Sequence, residues 1–170
     1  VAADVDLIAF TGSRDAGAHI LAAAAPRLKR VMLELGGKDP LVVLADADVE
    51  AAAGFAARNS FRNAGQVCVS TERIYVQEAI APAFEAALVR AAQQMTVGPC
   101  TQDKVQIGPM IHARQRAHVL GQVRDALAHG ARPLLGAEQT EAPMPGSYLA
   151  PIVLADVGAD LDIMERETFG

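Results

Sequence analysis

Two hydrophobic patterns alternate along this chain, short unbroken apolar runs and longer stretches with apolar residues at helical spacing. Leu7-Ile8-Ala9-Phe10 is an apolar run ended by Thr11-Gly12-Ser13, which predicts a buried strand and a turn. Residues 14–25 then predict an alanine-rich helix stopped near Pro26. Ala16, Ile20, Leu21 and Ala22 to Ala25 make it apolar on nearly every side, so it is expected to be covered, by a core or by a partner subunit. Val31 to Leu35 and Leu41 to Leu44 predict two further strands, separated by Gly36-Gly37 and Pro40. Asp46 or Asp48 would cap a helix from about Val49 to Arg62.

The second half repeats the alternation. Thr71 to Gln77 predicts a strand with Ile74 and Val76 on one side. Residues 81–95 carry Phe84, Leu88, Ala91 and Met95 at helical spacing, with Pro82 in the first turn. A loop with Gly98-Pro99 and Gly108-Pro109 precedes a helix over His112 to His129, with Ala113, Ala117, Leu120 and Leu127 near one face and Gly130 as its stop. Pro133 to Leu135 and Leu149 to Leu154 predict strands, divided by a loop from Glu138 to Ser147. Strands and helices alternating at this spacing indicate an α/β layered fold.

At 170 residues the chain can bury one sizeable core and part of a second domain. Aromatics are only 4% and Trp is absent, so Ala, Val, Leu and Ile must supply the packing. A net charge of −5 provides no basic footprint for nucleic acid or an anionic membrane, and no apolar run reaches spanning length. Two cysteines far apart argue against a disulfide framework and for a reducing compartment, with a cytoplasmic location expected. Val1-Ala2-Ala3-Asp4 lacks an initiator Met and leads almost at once into a strand, so the chain is expected to be part of a longer one.

Candidate chemistry centres on Asn63-Ala64-Gly65-Gln66-Val67-Cys68-Val69-Ser70. Cys68 between two valines reads either as a small buried apolar residue or as a nucleophile whose thiolate needs activation. Glu34 reads either as a solvated polar tooth on a strand or as a general base. Its place between Leu33 and Leu35 suggests an apolar setting that would raise its pKa. Gly12 and Ser13 stand where a strand meets a helix, either an ordinary capped turn or a phosphate site. Gly12-x-x-x-x-Gly17 is not a P-loop, because Ala18 and His19 occupy the positions of Lys and Ser/Thr, and no GxGxxG occurs. Cys100 lies in a polar loop and reads as incidental, and Lys38 as a structural partner for a carboxylate or carbonyl. The histidines show no metal-ligand spacing, since His112 and His118 do not share a helical face.

Four segments in order, Phe10-Thr11-Gly12-Ser13, Glu34-Leu35-Gly36-Gly37-Lys38-Asp39-Pro40, Gly65-Gln66-Val67-Cys68 and Glu165-Arg166-Glu167-Thr168-Phe169-Gly170, resemble the aldehyde dehydrogenase superfamily. The resemblance covers the chain essentially end to end, while family members extend beyond it on both sides. It implies a three-layer α/β catalytic (thiol) domain over 37–170, truncated, preceded over 1–36 by the last strand-helix-strand of a Rossmann-like cofactor domain. It also implies that Cys68 attacks the aldehyde carbonyl and that its backbone N–H helps hold the oxyanion. By the same resemblance, hydride would pass from the thiohemiacetal to NAD or NADP, and Glu34 would activate the water that hydrolyses the thioester. Gly12, Ser13, Leu35, Gly36, Glu167 and Phe169 would contact the dinucleotide.

Phe61, Val67 and Val69 are expected to line an apolar substrate pocket, whereas Arg62 would favour an acidic substrate such as a semialdehyde. The resemblance further implies homo-oligomers, dimers or tetramers, that pair through the helix after Ser13. A CoA-acylating member is the rival within the class, and Glu34 counts against it. A non-catalytic relative is the rival outside it, against which both Cys68 and Glu34 stand. The family's oxyanion-hole asparagine and its adenosine-ribose lysine would lie upstream of Val1, so the chain by itself is expected to be inactive.

Overall fold

Leu7–Gly12 (β1), Arg14–Ala24 (α1) and Arg30–Leu35 (β2) form a strand-helix-strand unit, with β1 and β2 parallel. The computed structural model describes residues 1–139, 142 and 144–170, and these divide into two compact units, Val1–Gly37 and Lys38–Gly170. In the first unit β1 runs on through Thr11 and Gly12, where a turn was expected, because its ladder with β2 continues to Gly12 opposite Leu35. Ser13 keeps extended backbone and its Oγ accepts the Ala16 N–H at 3.3 Å, so α1 begins where the sequence predicts. Pro26 falls in a 3₁₀ turn that ends the helix, followed by Leu28 in the left-handed region. Of the two covers expected for α1, a core within this unit supplies little, since only Gly17 and Ala24 are buried and Leu21 is 53% exposed.

The second unit opens with another parallel strand-helix-strand, Pro40–Val43 (β3), Val49–Phe61 (α2) and Arg73–Val76 (β4). Asp48 caps α2 by accepting the Ala51 N–H at 3.0 Å, a contact typically worth about 1 kcal/mol. Ala53, Ala56 and Ala57 recur on one face of α2 and are buried with Phe84, Ala87 and Leu88 of Ala81–Gln93 (α3). Small side chains let the two helices approach closely, which answers the shortage of aromatics. Val43 and Val153 complete that core.

Ala113–Ala128 (α4) begins at His112, whose Nδ1 accepts the Gln115 N–H at 3.0 Å, and stops before Gly130, whose φ of 93° suits a left-handed helix end. Its buried apolar residues are Val119, Leu120, Val123 and Ala126 rather than the expected Ala113 and Ala117, which are exposed. Val119 and Leu120 form a second core with Ala64, Ile107, Met110 and Leu149. Arg132–Leu135 (β5) pairs antiparallel with Val153–Ala155 (β6). The strand expected from Leu149 to Leu154 is thus confined to its end. Before Val153 the backbone meets side chains instead, Tyr148 O accepting from Arg116 and Ala150 N–H donating to Gln139. Residues 140, 141 and 143 of the expected loop lie outside the described residues. Asp162–Glu165 (α5) precedes the final segment. Among the described residues no helix is long and apolar enough to cross a membrane, and no group of His, Cys, Asp and Glu could hold a metal ion.

Candidate active site

The chain leaves α2 through three successive residues with positive φ, Asn63 at 53°, Ala64 at 55° and Gly65 at 73°. For Ala64 this conformation is disfavoured, and such strain persists only where the surroundings over-determine it. Here they do. Asn63 Nδ2 donates to Gln66 O at 3.0 Å, and Gln66 Nε2 returns a bond to Asn63 O at 3.1 Å. The buried Ser70 hydroxyl donates to Gly65 O at 3.1 Å, and Asn59 of α2 donates to Thr71 Oγ1 at 2.8 Å. Gln66 Oε1 also accepts the Ile111 N–H at 2.9 Å. Only glycine fits at position 65, since a Cβ there would lie 2.5 Å from the Gly170 carbonyl carbon.

Beyond this knot the Ser70 N–H donates to Val67 O at 3.0 Å, closing a turn with Cys68 and Val69 at its corners. Both corner residues are exposed. The reading of Cys68 as a buried apolar filler is therefore excluded in this chain, and the thiol is held out on a braced turn. Cys100 is also exposed and free.

Of the pocket candidates, Phe61 is half-buried and packs against both cores, Val67 is half-buried, and Arg62 and Val69 are exposed. A largely apolar cavity of about 450 Å³ is lined by Phe61, Ala64, Ser70, Phe84, Val119 and Leu149 among others, but Cys68 does not face it.

The final segment is bound by a buried polar network. Lys38 Nζ pairs with Glu72 Oε2 at 2.7 Å and donates to Thr168 Oγ1 at 2.6 Å. That hydroxyl in turn donates to Gln122 Oε1 at 2.7 Å. The expected structural pairing of Lys38 with a carboxylate is what the structure has. Burial pushes the Lys38 ammonium below its ordinary value, against the hydrogen bond and charge of Glu72, which pull it back up. Glu72, Gln115 and Gln122 carry no mark in the sequence that would single them out, because a polar residue beside a strand or on a helix usually faces water. Phe169 is 36% exposed and Glu167 half-buried.

In the first unit Glu34 is exposed on β2, its Cα partnered by Thr11 of β1. The apolar enclosure expected for it is not supplied by its strand neighbours, because Leu33 and Leu35 point to the opposite face of the sheet. Gly12 pairs with Leu35, so Gly12, Ser13, Glu34, Leu35 and Gly36 all gather at the C-terminal ends of two parallel strands. In open α/β sheets that end carries ligands. A Cβ on the buried Gly17 would meet Leu35 Cδ2 at 2.7 Å, so glycine there leaves room for Leu35.

The model of the Aldehyde dehydrogenase family matches residues 1–170. Betaine aldehyde dehydrogenase of Sinorhizobium fredii is 40% identical over 98% of this chain and 34% of its own length. The crystal structure of lactaldehyde dehydrogenase from Escherichia coli is 40% identical with a TM-score of 0.92, covering 98% of this chain and 35% of that one. A mutant aldehyde dehydrogenase of Pseudomonas syringae, complexed with NAD+ and octanal, is 32% identical with a TM-score of 0.92 over 98% of this chain and 35% of its own. The chain thus has the α/β fold of these enzymes and spans about a third of their length. It belongs to the aldehyde dehydrogenase family.

Proposed function

We propose that this chain is the cofactor-domain end, over residues 1–36, and most of the catalytic domain of a longer NAD(P)-dependent aldehyde dehydrogenase. The observation that carries the reading is the family match over residues 1–170 together with an exposed thiol on a braced turn. Betaine aldehyde, lactaldehyde and octanal are the molecules named with its relatives, which supports a small aldehyde as substrate.

In this reading the Cys68 thiolate adds to the aldehyde carbon, and the Cys68 N–H helps hold the oxygen as it becomes negative. Glu34 later takes a proton from the water that attacks the thioester carbon, releasing the acid and restoring the thiol. The dinucleotide, when bound, supplies the hydride acceptor. The turn between β1 and α1 fits a phosphate, because Ser13 leads into an eleven-residue helix whose first N–H groups have no acceptors within it. Asp15 in the first turn opposes that charge, so the backbone must supply the attraction. The family resemblance assigns Leu35, Gly36, Glu167 and Phe169 to dinucleotide contacts. Val67 and Val69 beside the thiol favour an apolar substrate, while the exposed Arg62 keeps a semialdehyde among the candidates.

The direct test is an aldehyde panel with NAD and with NADP, run on the longer protein and read at the absorbance of the reduced cofactor. Oxidation of no aldehyde with either would overturn the proposal. Thiol selectivity is a second check. A limiting amount of iodoacetamide is expected to mark Cys68 before Cys100 on peptide mapping, with loss of activity in step. Preferential labelling of Cys100 with activity retained would remove Cys68 from the nucleophile's role.

Association of the longer protein into dimers or tetramers through α1 belongs to the same proposal. The 53% exposure of Leu21 on that alanine-rich helix supports it. Leu21→Glu is expected to lower the sedimentation coefficient to that of a smaller species, and an unchanged oligomer would place the contact elsewhere.

A further inference from the structure

We infer that Glu72, neutralised by Lys38, is a positioning residue that holds Thr168 and Phe169 in the shape that binds the dinucleotide. This rests on the proposed role of Glu167 and Phe169 at the cofactor and adds the device that orders them. The two oxygens of one carboxylate accept two successive amides, Oε2 from the Thr168 N–H at 3.0 Å and Oε1 from the Phe169 N–H at 2.8 Å. From the other side Gln115 Nε2 donates to both carbonyls, Thr168 O at 2.9 Å and Phe169 O at 3.0 Å. Every backbone polar group of the two residues is thereby held by a side chain from elsewhere in the unit.

Phe169 needs that grip. Its φ of 53° is left-handed, a conformation that a bulky residue rarely adopts unless its surroundings impose it. The residue is 36% exposed, and the backbone bonds fix the point from which its side chain leaves the chain. An exposed aromatic ring on a fixed backbone suits a planar partner such as a nicotinamide.

The charge on Glu72 also has to be explained. A buried ion pair is weak evidence of stabilisation, since desolvating both charges offsets their attraction. The Lys38 and Glu72 side chains are only 5% and 8% exposed. An ionised carboxylate offers a separate oxygen to each of the two N–H groups and strengthens both bonds by its charge, whereas an amide puts a donor NH2 in place of one oxygen. Arg73 adds a further tie, its Nε donating to Lys38 O at 2.9 Å and its Nη1 to Met164 O at 3.2 Å.

The test uses Glu72→Gln in the longer enzyme. Glutamine has one acceptor oxygen, so one of the two amide bonds must go. Hydrogen exchange of a peptide spanning 167–170 is expected to quicken by about tenfold or more, the order set by one hydrogen bond to a charged group. NADH affinity, titrated by its fluorescence without aldehyde, is expected to weaken by a similar factor, while the KM for aldehyde stays unchanged. Where the unpaired Lys38 prevents folding, Lys38→Met is compared with Lys38→Met combined with Glu72→Gln; both lack the Lys38 bond to Thr168, and the second is expected to exchange faster and bind NADH more weakly than the first.

A purely structural role would move thermal stability alone, and unchanged exchange or unchanged NADH affinity in a folded variant overturns the inference. The unsubstituted enzyme is titrated first. If it binds neither NADH nor NADPH, the dehydrogenase reading falls and this one with it. If it binds and the variant binds equally, only the positioning role falls.

Discussion

Cys68→Ala in the longer enzyme is expected to abolish aldehyde oxidation, by roughly 10⁴- to 10⁶-fold, the scale seen when a catalytic nucleophile is removed. Alanine keeps the turn, because Cys68 makes no side-chain bond to the knot formed by Asn63, Gln66 and Ser70. The loss would therefore be chemical, not conformational. No reduced cofactor should appear in the first turnover, and no acyl adduct should be seen by intact mass. Cys100→Ala, in an exposed loop, is expected to retain both. A Cys68→Ala enzyme that still produces a burst would show that the aldehyde is oxidised without a thiohemiacetal at this position.

Glu34→Gln is expected to fail at a different step. Glutamine keeps the size and the exposed place on β2 but cannot take a proton from water. If the glutamate acts only in hydrolysis, the acyl-enzyme forms normally and then persists. A rapid-mixing trace should show a burst of about one reduced cofactor per active site. Steady turnover should then be slower by about 10²- to 10⁴-fold, the usual worth of a general base. Intact-mass detection of the thioester on Cys68 would complete the result. Absence of the burst would mean that Glu34 is needed before the first turnover, for instance to deprotonate the thiol. Normal steady turnover would mean that Glu34 is structural. The exposure of its side chain leaves it open to water, which a hydrolytic base requires.

Much of this was legible in the sequence wherever local chemistry decides the outcome. Asp48 starts α2, Pro26 lies just past the end of α1 and Gly130 just past the end of α4, because a cap, a missing N–H and a left-handed φ act within a turn of the residue that causes them. The family is likewise written in short segments that can be read in order. Where the outcome depended on a partner distant in sequence, it was not legible. Leu149 to Ile152 has a strand's composition, yet only Val153–Ala155 finds a neighbour in β5, and a strand exists by its ladder. On α4 the spacing allowed more than one apolar face, and packing with Ile107, Met110 and Leu149 selected that of Val119 and Leu120.

The same division runs through the candidate site. That Cys68 follows a glycine-containing turn is sequence. That three left-handed residues and a close approach to Gly170 hold the turn outward is tertiary structure. Glu72 looked like any polar residue of the strand predicted over Thr71 to Gln77. Folding buried it against Lys38 and turned its two oxygens on the amides of Thr168 and Phe169, because a carboxylate removed from water must find donors and those were the donors within reach.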